Sequence, residues 1–352
     1  MKKKVLIVGP WVSGHIQNWL GNNEDYDYLI VTCHRFDTLD EKRNIKQVFV
    51  INQLISFILF PFVLFYHYLN FRPNLTHVHF LSSYGILSSF LPGVKLLSLW
   101  GTDINGKVTH NKFFRFVGCL AMKRYKVINS PAQHMTNKIS SWGVSRNKIR
   151  TFQYGIDTGR LDGVVNRHSI KYNYNTQKIV VASIRNWDSL YQIETLIESW
   201  RGFDKNKFTL KLFGKSSNPK VDRRIRTLCE SISNIEVVGF VTQEQFYNNL
   251  LDCNVFVSLP TMDGTPLSVI ECTYLGLAPV VTSLDFYSTD MVFDDSLKIK
   301  VSFDSEELKN CIESSITLWD GSVAGEYHEF IKTNYSLVNN RKLMFCIYSE
   351  LT

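Results

Sequence analysis

The 352-residue sequence contains no CxxC pair, and its seven cysteines are scattered at positions 33, 119, 229, 253, 272, 311 and 346. An odd, unpatterned set argues against a disulfide framework or a structural zinc site and for reduced thiols, as in the cytosol. Charge is modest, at 20% against 45% hydrophobic residues, so the chain is globular and able to bury real cores. No internal repeat and no low-complexity segment interrupts it. Zinc-finger, homeodomain and RNA-recognition signatures are missing, which makes nucleic acid the weakest candidate partner. The start also lacks the long apolar region and cleavage site of a secretory signal. Lys2-Lys3-Lys4 passes straight into an apolar run, Val5-Leu6-Ile7-Val8. The expectation is a cytoplasmic protein of two ordinary domains.

What charge there is lies unevenly. Residues 1–165 hold 20 Lys and Arg against 9 Asp and Glu, whereas the remainder holds 19 against 23. A basic first half suggests an anionic partner, such as a membrane surface or a phosphorylated acceptor. Within it, residues 54–66 (Leu-Ile-Ser-Phe-Ile-Leu-Phe-Pro-Phe-Val-Leu-Phe-Tyr) are nearly all apolar. That run is too short to span a bilayer, and Pro61 sits in its middle. It suits either a core helix or a monotopic segment dipping into a membrane beside Lys112, Arg115, Lys123, Arg124 and Lys126.

Apolar, β-branched runs predict strands at 4–8, 28–32, 47–51, 75–79, 95–100, 126–129 and 149–154. The long segments between them favour parallel crossovers. Residues 160–177 are polar and turn-rich and read as a linker. A second series follows at 179–183, 209–213, 235–238, 255–259, 279–282 and 297–301, with helices between, among them 193–200 and 243–251. The pattern is that of an α/β chain with two doubly wound, Rossmann-like domains, at 1–165 and 166–334.

The densest signal is residues 255–283. An apolar strand runs into the turn Pro260 to Gly264. Thr265 suits a helix cap, Pro266 a first helical residue and Gly276 a helix end, and Pro279 opens another strand. Such a unit aims backbone N–H groups and a positive helix end out of the carboxyl edge of a parallel sheet, where phosphates bind. Asp263 on the loop and Glu271 on the helix add two acids. Glu271 follows Ser268 by three residues and Leu267 by four, so it shares a face with the first turn.

This stretch resembles the donor site of the retaining, GT-B-fold glycosyltransferases of family four (glycosyl transferases group 1). That family has two acids with seven residues between them, then a small residue and Pro-Val-Val. Asp263 stands in place of the usual first Glu, and Gly264, Pro266, Leu267, Gly276 and 279–281 are in register. The resemblance implies two facing Rossmann-like domains and a final helix, within 335–352, that crosses back to the first domain. It implies donor contacts from Arg185, Gly264, Thr265, Pro266, Leu267 and Glu271. Arg suits a diphosphate because its fork bonds two oxygens at once. The family's Lys a few residues after Arg185 is replaced by Tyr191, with Lys215 as a substitute. Phe240 lies where the nucleotide base is usually held, and equally suits a core position.

On the acceptor side, Ser13-Gly14-His15 follows the first strand and resembles the family's first loop, with Gly14 under the donor phosphates. Its spacing is not GxGxxG, which excludes a dinucleotide-binding turn. Ser98-Leu99-Trp100-Gly101-Thr102-Asp103 resembles the family's His-Gly-Ser/Thr-Asp, except that Trp100 replaces the His and removes its proton-accepting ring nitrogen. Asp103 is a candidate at the acceptor or sugar, and also a candidate helix cap. His79 ends a strand and would line the acceptor side. His77 and His79 alternate, but a third metal ligand is not identifiable, so neither zinc nor another metal or cofactor is expected.

The implied activity is sugar transfer from a nucleotide-diphosphate donor to a glycan or lipid-linked acceptor. Asp103, Asp263 and Glu271 would be the acids, and surface polysaccharide the context, at the inner face of the plasma membrane. Two other readings share the motif: a nucleotide-sugar epimerase, which needs no acceptor, and a non-catalytic nucleotide-sugar-binding scaffold, which Trp100 and Tyr191 would suit.

Overall fold

The computed structural model describes residues 2–20, 24–35, 44–48, 52–106, 110–167 and 178–352. The chain forms two compact units, Met1–Tyr154 with Leu337–Thr352, and Gly155–Ser336.

The first unit is built on seven parallel strands: β1 (Lys3–Val8), β2 (Tyr26–Thr32), β3 (Asn44–Gln47), β4 (Leu75–His79), β5 (Lys95–Ser98), β6 (Val127–Ser130) and β7 (Ile149–Thr151). Their order is β3-β2-β1-β4-β5-β6-β7. The central strands are apolar along most of their length because helices cover both sheet faces; Val5, Leu6, Ile7 and Val8 are all fully buried. The third strand lies earlier than 47–51, and 49–51 fall outside the described residues. The chain winds one way from β1 to β3 and the other way from β4 onward. The ends of β1 and β4 therefore flank the topological switch point, where open α/β sheets build their sites. The C-terminal helix Leu337–Leu351 packs in this unit, where Tyr348 reaches the β4 residue His77.

The second unit repeats the plan with six parallel strands: β8 (Ile179–Ser183), β9 (Phe208–Phe213), β10 (Ile235–Gly239), β11 (Val255–Ser258), β12 (Ala278–Thr282) and β13 (Lys298–Ile299). Their order, β10-β9-β8-β11-β12-β13, puts the switch between β8 and β11. These strands and the helix Ile193–Trp200 lie where apolar patterning placed them.

Two expectations fail. Residues 155–165, expected with the first domain, belong to the second unit, where Ile156 bridges Ser336 and its N–H bonds the Tyr335 carbonyl. Much of the expected linker is the helix Thr158–Arg167, with Leu161 and Val164 buried. Its glycines and charges mimic a loop, but two apolar residues three apart suffice to dock it. Residues 168–177 lie outside the described residues.

Residues 54–66 are also no core helix. They belong to a helix, Gln53–Phe71, that buries one narrow stripe, Ser56, Phe60 and Leu64, and exposes Leu54, Ile58, Phe62 and Tyr66. It is longer than the run suggested: Leu54–Phe71 has mean hydropathy 1.7 and passes for a membrane-crossing helix by length and composition.

Candidate active site

In the second unit, four neighbouring strands deliver the expected donor residues to one sheet edge. Phe240 follows β10, Lys215 follows β9, Arg185 follows β8 and Asp263 follows β11. Arg185 and Asp263 thus sit on either side of the switch point. The Arg185 guanidinium donates to the Asp263 carboxylate at 2.6 Å and to the Ser268 hydroxyl at 3.2 Å. Tyr191 lies against it, with the guanidinium carbon 4.2 Å from the ring centroid. Burial disfavours the charge on Arg185, but Asp263, then Tyr191 and Tyr287, outweigh it, so its pKa is raised and it stays a cation. The place of the family's Lys is therefore taken by a ring that steadies Arg185. A guanidinium has five N–H donors, so one that holds Asp263 and Ser268 keeps others for an anion.

The helix Leu267–Tyr274 begins beside this cation. Its N-cap is Pro266, one residue later than expected, and no side chain caps it. Thr265 is thus outside the helix. The turn is not sealed: Asp263, Thr265, Leu267 and Ser268 are partly exposed, while Gly264 and Pro266 are buried. Gly276 follows the helix end with φ 86°. This segment is a short helix whose positive end opens on the carboxyl edge of a parallel sheet.

Glu271 lies one turn on from Leu267. Its Oε1 accepts the Tyr247 hydroxyl at 2.9 Å, and that hydroxyl also accepts from Gln243 Nε2 at 2.6 Å. Arg160 stands over the Tyr247 ring at 5.8 Å and donates to Gln243 Oε1 at 2.5 Å. Burial pushes the Glu271 carboxyl up to about 7, although the Tyr247 bond and the Arg160 charge pull the other way. Sequence reasoning missed Arg160 and Tyr247. Arg160 was hidden in the supposed linker, and Tyr247 reads as an ordinary apolar position on a helix.

Lys215 and Phe240 form a second cluster, with the ammonium 4.4 Å from the ring centroid. Phe240 is 67% exposed, which rules out a core role. Together with Ser216, Asp222, Arg223 and Arg226 they line an open hollow of about 690 Å³. This loop sits tightly on the Arg185 loop, where Trp187 N–H donates to the Lys215 carbonyl at 3.1 Å. Gly214 permits the approach: its φ is +97°, and a Cβ there would lie 2.7 Å from the Arg185 carbonyl oxygen.

The first unit's edge differs. Gly9, after β1, lies so close to β4 that an added Cβ would meet His79 Cβ at 3.0 Å. Ser13 is partly exposed; its N–H bonds the Pro10 carbonyl and its own carbonyl accepts from Ile16 and Gln17. Gly14 begins the helix Gly14–Leu20, and only the backbone of His15 is described. His79 does not line an open cleft. It is fully buried with neither ring nitrogen bonded, beside His77 at 4.2 Å and near Trp100 at 6.1 Å and Trp19 at 6.4 Å between centroids. Burial lowers its pKa to about 3, so the ring is neutral.

Asp103, expected at the acceptor or sugar, is fully buried instead. Its carboxylate accepts from Leu81 N–H (2.9 Å), Ser82 N–H (3.0 Å), Ser82 Oγ (2.7 Å) and Trp100 N–H (3.2 Å). It is the clamp that fixes the loop after β4. Trp100 stacks on Phe80 at 5.0 Å and 7°, and Phe80 holds a left-handed backbone (φ 68°) unusual for a bulky residue. Among the described residues no group of three His, Cys, Asp or Glu is arranged to hold a metal.

The comparisons agree with this geometry. Residues 165–335 match the model of "Glycosyl transferases group 1". No curated protein sequence matches the chain. Solved structures similar to it include HepE of Anabaena in complex with UDP, at TM-score 0.76 and 13% identity, covering 99% of this chain and 100% of that one. Sucrose-phosphate synthase from Thermosynechococcus elongatus gives 0.74 at 13% identity, with 99% of each chain covered. The lipopolysaccharide outer core galactosyltransferase WaaB, in its apo form, gives 0.71 at 10% identity, again with 99% of each. At such identities the likeness shows the fold, GT-B with two Rossmann-like units. The family match covers the unit that carries Arg185, Asp263 and Glu271. The second unit therefore carries the glycosyl transferases group 1 match, and the whole chain has the GT-B fold of two Rossmann-like units.

Proposed function

We propose that the chain transfers a sugar, with retention, from a nucleotide-diphosphate donor to a glycan or lipid-linked acceptor in surface polysaccharide synthesis, on the cytoplasmic side of the membrane. The observation that carries this reading is the Arg185 guanidinium, held by Asp263 and Ser268 at the start of the Leu267–Tyr274 helix. Cation and helix end together would stabilise the leaving diphosphate, where negative charge grows in the transition state. Neither step calls for a metal. Glu271 receives one hydroxyl bond and has acceptor capacity left for the ribose hydroxyls. Asp263 would turn from Arg185 toward the sugar as phosphate takes its place on the guanidinium. Phe240 and Lys215 offer a ring and a cation for the base and phosphates. Support for a uridine nucleotide comes from HepE, whose structures hold UDP and UDP-glucose. Support for a surface polysaccharide comes from WaaB.

The test is a thermal-shift screen against a panel of nucleotide sugars, followed by NMR of the anomeric configuration in the product. Glu271→Ala is expected to abolish donor-induced stabilisation while the free protein melts nearly unchanged. Equal stabilisation of variant and wild type would remove Glu271 from the site. Turnover of donor without acceptor to an epimer would favour the epimerase reading.

A further inference from the structure

The helix Gln53–Phe71 leads from β3 to β4, the segment Leu81–Ser88 from β4 to β5, and the helix Lys112–Lys123 lies between β5 and β6. All three crossovers advance the same way along the sheet order. Right-handed crossovers therefore place all three on one sheet face. Contacts bear this out: Phe60 packs edge-on to Tyr84 at 5.1 Å, Phe65 lies 6.3 Å from Phe90, and Tyr125, just past the second helix, donates to the Gly85 carbonyl at 2.7 Å.

The outer side of this layer is apolar. Ile58 (62%), Phe62 (74%), Phe65 (40%), Phe90 (48%), Phe113 (69%) and Phe116 (62%) are exposed. On Gln53–Phe71, Ile58, Phe62, Phe65 and Leu69 recur at helical spacing opposite the buried stripe Ser56, Phe60 and Leu64. On Lys112–Lys123, Gly118, Ala121 and Met122 face inward, and Phe113, Phe116 and Leu120 face out. Neither helix contains an acid, whereas Lys112, Arg115, Lys123 and Arg124 border the second. A single Phe on a surface is ordinary, but a row of them on two helices marks a contact surface.

We infer that this two-helix face of the first unit is a monotopic docking surface for an anionic lipid bilayer, which deepens the membrane part of the proposed function and rests on it. The rings would enter the headgroup boundary and the cations would meet lipid phosphates. Gln53–Phe71 lies in the interface and does not cross, because crossing would strip Phe60 and Leu64 from their seats in the unit. A second copy of the chain fits less well. A two-fold contact would bring the same basic fringe against itself, with no acid on either helix to relieve it.

Flotation of the full chain with vesicles tests this, using phosphatidylcholine alone and phosphatidylcholine mixed with phosphatidylglycerol. Binding is expected to rise with the anionic lipid and weaken with salt. The triple variant Phe62→Ser, Phe113→Ser, Phe116→Ser should lose at least roughly tenfold in partitioning. The double reversal Lys112→Glu, Lys123→Glu should lose roughly tenfold on anionic vesicles and little on neutral ones. All five positions are exposed, so both variants should melt like the wild type. No flotation, or equal binding to both vesicle types, would overturn the inference. So would concentration-dependent dimerisation that the Phe variant abolishes, since the face would then be a subunit interface. Donor-induced thermal shift in the same proteins separates the claims. Lost flotation with an intact shift sinks only the membrane surface, and a missing shift with intact flotation sinks only the donor site.

Discussion

The carboxyl edges of the two sheets share one topology and carry opposite chemistry. Each edge has its switch point at the first strand of its unit, and each carries a carboxylate close to it. In the first unit that carboxylate, Asp103, is fully buried and takes four hydrogen bonds from its own chain. In the second, Glu271 is partly exposed and takes one, from Tyr247. An acid whose lone pairs are filled by backbone N–H groups is a structural clamp. An acid left with spare acceptor sites in a half-open position has the capacity to accept bonds from a ligand. The neighbours reinforce the contrast. Around His79 stand aromatic rings that keep the imidazole neutral, while around Asp263 stand a guanidinium and a helix end. Topology thus sets where a site can form, and the local supply of hydrogen-bond donors decides whether it does.

The comparison can be broken most decisively at Arg185. Arg185→Ala should lower the rate of sugar transfer by roughly 10²–10³-fold, the usual effect of removing one preorganised charge-stabilising donor. Arg185→Lys should restore only part of it, because the fork is lost. A steady-state assay that finds Arg185→Ala fully active would end the donor-edge assignment.

Next is the clamp. Asp103→Ala leaves the buried backbone N–H of Leu81 and the partly buried ones of Ser82 and Trp100 without this acceptor, at a cost of about 2 kcal/mol of stability. Calorimetry should show it as a lower first transition, whereas Glu271→Ala should hardly move either transition. If the two variants melt alike, the distinction between clamp and ligand contact is wrong.

A smaller effect is expected from pH. Glu271 titrates near 7 in the folded chain and at about 4.5 in the ordinary range, so its protonated form is favoured by folding. Its contribution to stability is fully present below the lower value and is lost as pH rises through about 7. Hydroxyl donors from a ribose favour the ionised form, so donor affinity should rise with pH across the same window. Titration calorimetry of wild type against Glu271→Gln checks this. The variant should show a flatter profile, and parallel profiles would exclude Glu271 as the titrating contact. The smallest change is Phe240→Ala. An exposed ring that stacks on a base is worth about 1 kcal/mol, so donor Kd should weaken by roughly fivefold with no change in melting.

Much of this was legible in the residues themselves. β4 and β8 lie where their apolar runs end, because buried parallel strands leave near-continuous signatures. The Asp263 to Gly276 segment was readable since turn residues, Pro and Gly each have a fixed backbone reason to be where they are. The boundary after Tyr154 was not, nor was the helix Thr158–Arg167, where Asp157, Gly159, Gly163 and Asn166 imitate a loop. Of the two readings of Asp103 the helix cap holds, through Trp100 N–H, while its acceptor-side reading and that of His79 conflict with their full burial, for another reason. A polar residue at a strand end or helix start looks the same in sequence whether its partners are a ligand or its own backbone.

The linear order of side chains alone determined the resemblance of 165–335 to glycosyl transferases group 1, most strands of both sheets and the turn after β11, because these depend on local backbone chemistry and short-range periodicity. Folding alone decided the burial and hydrogen-bond partners of Asp103 and Glu271. It also set Tyr191 under Arg185, and it brought the apolar helices Gln53–Phe71 and Lys112–Lys123 onto one face. Each of those outcomes depends on neighbours that strand pairing and crossover handedness bring together from distant parts of the chain, and no local pattern encodes them.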